Sequence, residues 1–365
     1  MPKWGMTMTE GTITHWMVSE GERIERGQEI AEIETTKLSN VVESAASGVL
    51  RKIVLAEGST APVGALAAVI ADESVSDEEI EAFIASYADR LGASQAGQDE
   101  GAGSRTVEVP GGQINLIEAG ADGDDAIVLL HGFGGDLSTW MFNQADLASA
   151  GRVIALDLPG HGASSATSAG DAVAEVVARV GAALDAVAPG KLHLVGHSFG
   201  GAVAAFVAER RADRINSLTL IAPVGLGKAM NRGFLVDFVA AERRRPLQGV
   251  LERLFADPTK ITSDMVEETL KFKRLEGVPE ALLKLADAIV DETGQRLSIA
   301  DTIAALECPV LLIWGELDAI VPLPQEGDMP ANAAIRLVPG AGHMPQMEAA
   351  PVVNGAILEN IQRAK

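Results

Sequence analysis

Residues 191–210 read KLHLVGHSFGGAVAAFVAER. The first six form a compact apolar run of strand character, and the last ten are small and helix-forming. Between them stands Gly196-His197-Ser198-Phe199-Gly200-Gly201, which contains G-x-S-x-G. After a strand and before a helix, that run marks a tight turn lifting a serine hydroxyl above a sheet. The turn is strained, so small neighbours are needed to let Ser198 project.

Working outward, four more runs share the strand's character: AIVLL (126–130), RVIALD (152–157), SLTLIA (217–222) and PVLLIW (309–314). Helical segments separate them, which predicts a parallel sheet covered on both faces. RTVEVPGGQINLIEAG (105–120) alternates around Gly111-Gly112 and predicts a leading hairpin. A serine hydroxyl needs a base to attack at neutral pH. In proteins with this elbow the partners follow in the order serine, acid, histidine. Of six histidines only His343 follows Ser198. The acid should sit past a strand end; Asp318, after PVLLIW, fits better than Asp301 or Asp328. Oxyanion donors are expected from the backbone N–H of Phe199 and, in the glycine turn His131-Gly132-Phe133-Gly134-Gly135, that of Phe133. DLPGHGAS (157–164) completes the pattern. Residues 105–365 resemble the α/β-hydrolase fold, which often carries a helical cap; here the cap would occupy about 223–303.

That cap segment is locally basic. Residues 223–285 hold 11 Lys or Arg against 9 Asp or Glu. Lys228, Arg232 and Arg243-Arg244-Arg245 are its concentrated part. Solvated helix faces are the plain reading, and a hold on the phosphates of coenzyme A the sharper one. Trp140, Trp314 and the remaining histidines read as core or loop residues.

The first hundred residues have another character. Residues 11–33, GTITHWMVSEGERIERGQEIAEI, repeat at 48–70, GVLRKIVLAEGSTAPVGALAAVI. Gly11/Gly48, Glu20/Glu57, Gly21/Gly58, Gly27/Gly64 and Ile33/Ile70 are identical, and Trp16 falls opposite Ile53. Two copies are too few for a solenoid, so a small pseudo-symmetric sandwich is expected, each half covering the other. Between the copies, ETTKLSN (34–40) puts Lys37 at a turn. Residues 1–75 resemble the lipoyl/biotinyl carrier domain. Biotinyl domains flank their lysine with methionines, whereas Thr36 and Leu38 stand here. The resemblance therefore implies lipoate in amide linkage on Lys37. Residues 76–104 then form a connector. Ile80, Phe83, Ile84, Tyr87 and Leu91 predict a short amphipathic helix, and GASQAGQDEGAGS (92–104) a flexible linker of roughly 20 Å.

Composition narrows the functions. The 365 residues carry 29 Lys and Arg against 51 Asp and Glu, a net charge of −22. A nucleic-acid binder needs a basic face, so that class is disfavoured. No apolar run approaches the ~18 residues of a membrane span. No secretory signal is visible, which points to the cytoplasm. The single Cys308 excludes an internal disulfide and leaves little room for a thiolate metal site; it reads as a packed residue at a strand start.

The order of the two parts is informative. A carrier arm followed by an acyl-handling serine site resembles the dihydrolipoyllysine-residue acetyltransferase components of acetoin dehydrogenase complexes. The resemblance implies transfer of an acetyl group from the lipoyl arm to coenzyme A. It also implies two partner enzymes, a thiamine-diphosphate enzyme that cleaves acetoin and a flavin-containing dihydrolipoyl dehydrogenase, and a homo-oligomer within the complex. A thioesterase, a carboxylesterase with an attached arm, and an assembly subunit with a non-catalytic hydrolase domain are the alternatives.

Overall fold

In the computed structural model, residues 10–25, 27–34, 39–44, 46–62, 64–96, 104–167 and 171–364 are described. The chain divides into two compact units, Met1–Gly101 and Ala102–Lys365. In the first unit the repeat becomes two small sheets. The strands are β1 (Glu10–Trp16), β2 (Arg23–Ile24), β3 (Glu29–Glu34), β4 (Ser39–Glu43), β5 (Gly48–Ile53), β6 (Thr60–Pro62) and β7 (Ala68–Ala71). One sheet runs β4-β3-β1-β6 and the other β2-β5-β7. Each copy therefore lends its short middle strand to the other copy's sheet. The hydrogen bonds repeat at the offset of the sequence. The Ile13 N–H donates to Ser59 O and Gly58 N–H to Ile13 O; the Leu50 N–H donates to Glu22 O and Gly21 N–H to Leu50 O. Gly21 and Gly58, with φ of 88° and 79°, occupy matching left-handed turns that favour glycine. Ile13 and Ile33 fill one core and Ile24 and Leu50 the other, with Trp16 packed against both.

Helix α1 (Asp77–Ala96) follows and continues past Leu91 into the segment read as linker. It docks on its own unit. Ile80 is buried, the Tyr87 hydroxyl donates to Gly64 O at 2.8 Å, and Asp77 pairs with Arg51 at 2.6 Å.

The second unit is built on an eight-stranded sheet. Its strands are β8 (Arg105–Val109), β9 (Gly112–Ala119), β10 (Ala126–Leu130), β11 (Val153–Leu156), β12 (Leu192–His197), β13 (Ile215–Ile221), β14 (Val310–Gly315) and β15 (Ala333–Val338). They lie in the order β15-β14-β13-β12-β10-β11-β9-β8, parallel from β15 to β11 and antiparallel through the β8–β9 hairpin. The apolar runs are continuous because both faces are covered. In β10, Ala126, Val128 and Leu130 point into one core, and Ile127 and Leu129 into the other. Each fully buried aliphatic side chain of this kind contributes ~1.5–3 kcal/mol. The first core is closed by α2 (Ala172–Val187) and α3 (Phe199–Arg210). The segment between β13 and β14 adds α4 (Arg232–Ala240), α5 (Arg244–Leu251), α6 (Ser263–Lys273) and α7 (Val278–Ile289) to that side. The second core is closed by α8 (Ala350–Gln362) with Trp140 and Leu147. Trp140 and Trp314 are both buried, as expected of core residues, and Cys308 is half-buried just before β14. Among the described residues no helix is long and apolar enough to cross a membrane.

Candidate active site

Ser198 sits at the sharp turn between β12 and α3 with φ 53° and ψ −119°, a region that β-carbon residues avoid. The surroundings hold it there. Its N–H donates to Ile221 O at 2.8 Å, and its carbonyl accepts from Gly201 N at 2.9 Å and Val224 N at 3.1 Å. The flanking glycines are required by contact. A β-carbon on Gly196 would lie 2.4 Å from Gly200 O, and one on Gly200 would lie 2.2 Å from His131 O.

His343 lies in the loop after β15, and Asp318 in the loop after β14. The His343 Nδ1 and Asp318 Oδ2 are 2.8 Å apart, with the two side chains 2% and 1% exposed. The other carboxylate oxygen of Asp318 accepts the N–H of Ile320 at 2.8 Å and of Val321 at 3.0 Å. Asp318 is thus oriented from one side by the backbone and presents its free edge to the imidazole. Asp301 and Asp328 lie on short helices elsewhere, and Asp318 is the acid hydrogen-bonded to His343.

Two residues that sequence reasoning left aside fix this loop. His197, next to the serine, directs Nε2 at the backbone oxygen of His343, 2.8 Å away, and the two rings stand 4.7 Å apart. A carbonyl oxygen only accepts, so His197 Nε2 carries the proton. Burial, with the neighbouring His343 adding to it, holds His197 well below the ordinary histidine range. Glu348 clamps the same loop, accepting Gly342 N and Ala256 N at 2.8 Å each. The His343 N–H itself donates to Leu254 O at 2.9 Å. Among the described residues no hydrogen bond joins the Ser198 hydroxyl to His343; such contacts commonly tighten only around substrate.

A third residue, His131, orders the expected oxyanion loop. Its Nε2 accepts the Leu158 N–H at 2.9 Å, so Nδ1 is the donor, 2.8 Å from Gly132 O. That oxygen also accepts Gly135 N at 3.1 Å. Across a planar trans peptide, a carbonyl fixed one way turns the following N–H the other way. The Phe133 amide is thereby aimed. A β-carbon on Gly132 would lie 3.0 Å from Ser198 Cβ, so this loop abuts the serine turn. The Phe199 amide is the first of α3, with no partner inside the helix.

The five cations of the basic segment are spread over α4, the start of α5 and the loop before α4. Lys228 hydrogen-bonds Gln295 O at 3.2 Å, and Arg244 is engaged by Ser263 at 2.8 Å and Glu267 at 3.5 Å. Arg232 opens α4 while Arg243, Arg244 and Arg245 follow it, a helix of nine residues or about 13 Å apart. All five are exposed.

Lys37 lies outside the described residues. It falls between Glu34 and Ser39, which face each other across the β3–β4 pair at the edge of their sheet.

Fold and site together define an α/β-hydrolase-fold protein preceded by a carrier-type sandwich. Residues 127–356 match the alpha/beta hydrolase family model, and residues 1–70 the model described as biotin-requiring enzyme. The chain is 44% identical to the dihydrolipoyllysine-residue acetyltransferase component of the acetoin cleaving system of Pseudomonas putida, covering 100% of this chain and 98% of the relative. The corresponding component of Cupriavidus necator is 39% identical, with 99% and 96% covered. The chain belongs to this family of acetyltransferase components. A meta-cleavage product hydrolase from Pseudomonas fluorescens IP01 shares the fold at a TM-score of 0.64 and 21% identity, covering 72% of this chain and 98% of that one.

Proposed function

We propose that Ser198, His343 and Asp318 form an acyl-transfer triad that moves an acetyl group from a carrier thioester to the thiol of coenzyme A. The observation that carries this reading is the buried 2.8 Å His343–Asp318 contact on a loop tied to the residue beside Ser198. Lipoate in amide linkage to Lys37 would supply a thiol that carries the acyl group as a thioester.

In the first half-reaction His343 Nε2 takes the Ser198 proton as Oγ attacks the thioester carbonyl. The Phe133 and Phe199 amides receive the developing oxyanion, worth ~2.7–4 kcal/mol per donor in comparable sites. Asp318 keeps the Nδ1 tautomer and stabilises the imidazolium. The carbon–sulfur bond then breaks and the proton passes from His343 to the departing sulfur. In the second half, coenzyme A gives its thiol proton to His343, its sulfur attacks the acyl-serine carbonyl, and the proton returns to Ser198. Water loses this competition when the bound thiol is well oriented, because effective molarities reach ~10⁵ M or more. The same reading makes a thiamine-diphosphate enzyme and a dihydrolipoyl dehydrogenase the partners.

Two measurements test it. Ser198→Ala should lower acetyl transfer to coenzyme A by at least about 10³-fold; a rate within tenfold of wild type would favour direct transfer without an acyl-serine. Acetate release at an undiminished rate without coenzyme A would make the protein a thioesterase. Intact-mass analysis of protein from lipoate-supplied cells should place a lipoyl increment on Lys37.

A further inference from the structure

The helices between β13 and β14 bury a cation that, among the described residues, has no carboxylate in direct contact. Lys273, the last residue of α6, is 8% exposed. Its ammonium donates to the Phe238 carbonyl and, at 3.2 Å, to that of Val239, in the last turn of α4. It also stands 4.5 Å from the centroid of the Phe238 ring. Among the described residues no ion pair reaches it. Its partners are the negative end of a helix dipole and an aromatic face, both of which favour a charge over an apolar tip.

The Phe238 ring leads from this cation to the candidate oxyanion loop. It meets Phe133 edge to face at 5.6 Å. A β-carbon on Gly134 would lie 2.4 Å from its tip, so the ring rests directly on the loop backbone. A second route is parallel. Phe272, adjacent to Lys273, stacks on His161 at 5.8 Å, and His161 lies 6.2 Å from Phe133.

We propose that Lys273 is a positioning residue: its charge fixes the last turn of α4 and, through Phe238, holds Phe133 and Gly134 against the nucleophile turn. This rests on the reading of Ser198 and the Phe133 amide given above. Deprotonation would leave two weaker, neutral hydrogen bonds and remove the attraction to the helix end and the ring, and an apolar replacement would also leave two carbonyls without their donor.

The latch should respond to pH. Burial lowers Lys273 to about 8, with Glu242, just after α4, opposing the shift. The other charged groups around it are engaged or neutral. Asp237 on α4 is paired with Arg253, Lys271 on α6 with Glu268, and burial keeps His161 uncharged down to about 3. Lys273 is the group in this cluster that changes charge between pH 7 and 9.

The test uses the full chain with 4-nitrophenyl acetate from pH 6.5 to 9.5, together with amide hydrogen exchange of residues 132–136 and 236–241. Wild-type kcat should fall about tenfold above pH 8 with KM little changed, the size expected for one misplaced oxyanion donor or less. Lys273→Met should show that low rate already at pH 7 and lack the alkaline fall. Lys273→Arg, which does not titrate, should keep the pH 7 rate within about threefold and also lack the fall. Exchange in both segments should quicken in Lys273→Met and not in Lys273→Arg. If Lys273→Met does not fold, the contrast between wild type and Lys273→Arg above pH 8 decides. A wild-type profile in Lys273→Met, or unchanged loop exchange, would overturn the latch. Quickened exchange in a protein whose ester cleavage never depended on Ser198 would uphold the latch and sink the Ser198 reading.

Discussion

The imidazole of His197 holds the backbone oxygen of His343 at 2.8 Å, joining two residues 146 apart in sequence. The nucleophile turn and the base loop are therefore one unit. Replacing His197 with Phe should leave that buried oxygen unpaired, at a cost of ~1–3 kcal/mol of stability. It should also let the base drift, and drift of about an ångström costs up to ~10²-fold in rate. Steady-state kinetics should show the loss in kcat with KM nearly unchanged; an unaltered kcat would make His197 a packing residue only.

Asp318→Asn tests the other side of the base. The Ile320 and Val321 amides can still bind the remaining oxygen, so the loop should keep its shape. The amide nitrogen would then face Nδ1 and favour the wrong tautomer. Acetyl transfer should fall by ~10³–10⁴-fold with little change in thermal stability.

Acid should unfold the second unit early. Burial lowers His161 to about 3, and also lowers His131 and His197. Between pH 3 and 6.5 the unfolded chain binds a proton that folded His161 refuses. Stability must therefore fall as pH drops through 6.5, by ~1.4 kcal/mol per pH unit for each such site. His161→Phe keeps a ring against Phe272 and should flatten the dependence of Tm on pH by about one proton's slope. An unchanged slope would mean that His161 is protonated in the folded state.

Much of this was readable in the residues. Ser198, His343 and Asp318 follow from a motif and an order along the chain, and the parallel sheet from continuous apolar runs. What escaped depends on contacts between distant segments. Nothing local in GHSFGG says that His197 will meet the base loop, or that Glu348 will clamp Gly342. The layout of the basic segment also lay outside local pattern: α4 sets Arg232 apart from Arg243, Arg244 and Arg245. In the first unit, periodicity marked the strands but not the exchange of β2 and β6 between sheets. Helix α1 overran its expected end because one Gly92 costs a helix only ~1 kcal/mol against the alanines around it.

The exchange of strands in the first unit also predicts paired energetics. The Trp16 N–H donates to Glu57 Oε1 at 2.7 Å, and the Ile53 N–H to Glu20 Oε1 at 2.7 Å, the same bond in each copy. Of the two, Glu57 has a second partner among the described residues, His15 at 2.8 Å. The Trp16 hydrogen bond, helped by His15, lowers Glu57 below the usual glutamate value. A depressed carboxylate stabilises the fold above its unfolded pKa, and that contribution is lost as pH falls through the folded one. Glu57→Gln should therefore speed amide exchange of Trp16 at pH 7 more than Glu20→Gln speeds that of Ile53. In acid strong enough to protonate wild-type Glu57, Glu57→Gln and wild type should converge. A persistent difference at low pH would show that the side chain acts by shape, and that the repeat's symmetry does not extend to its electrostatics.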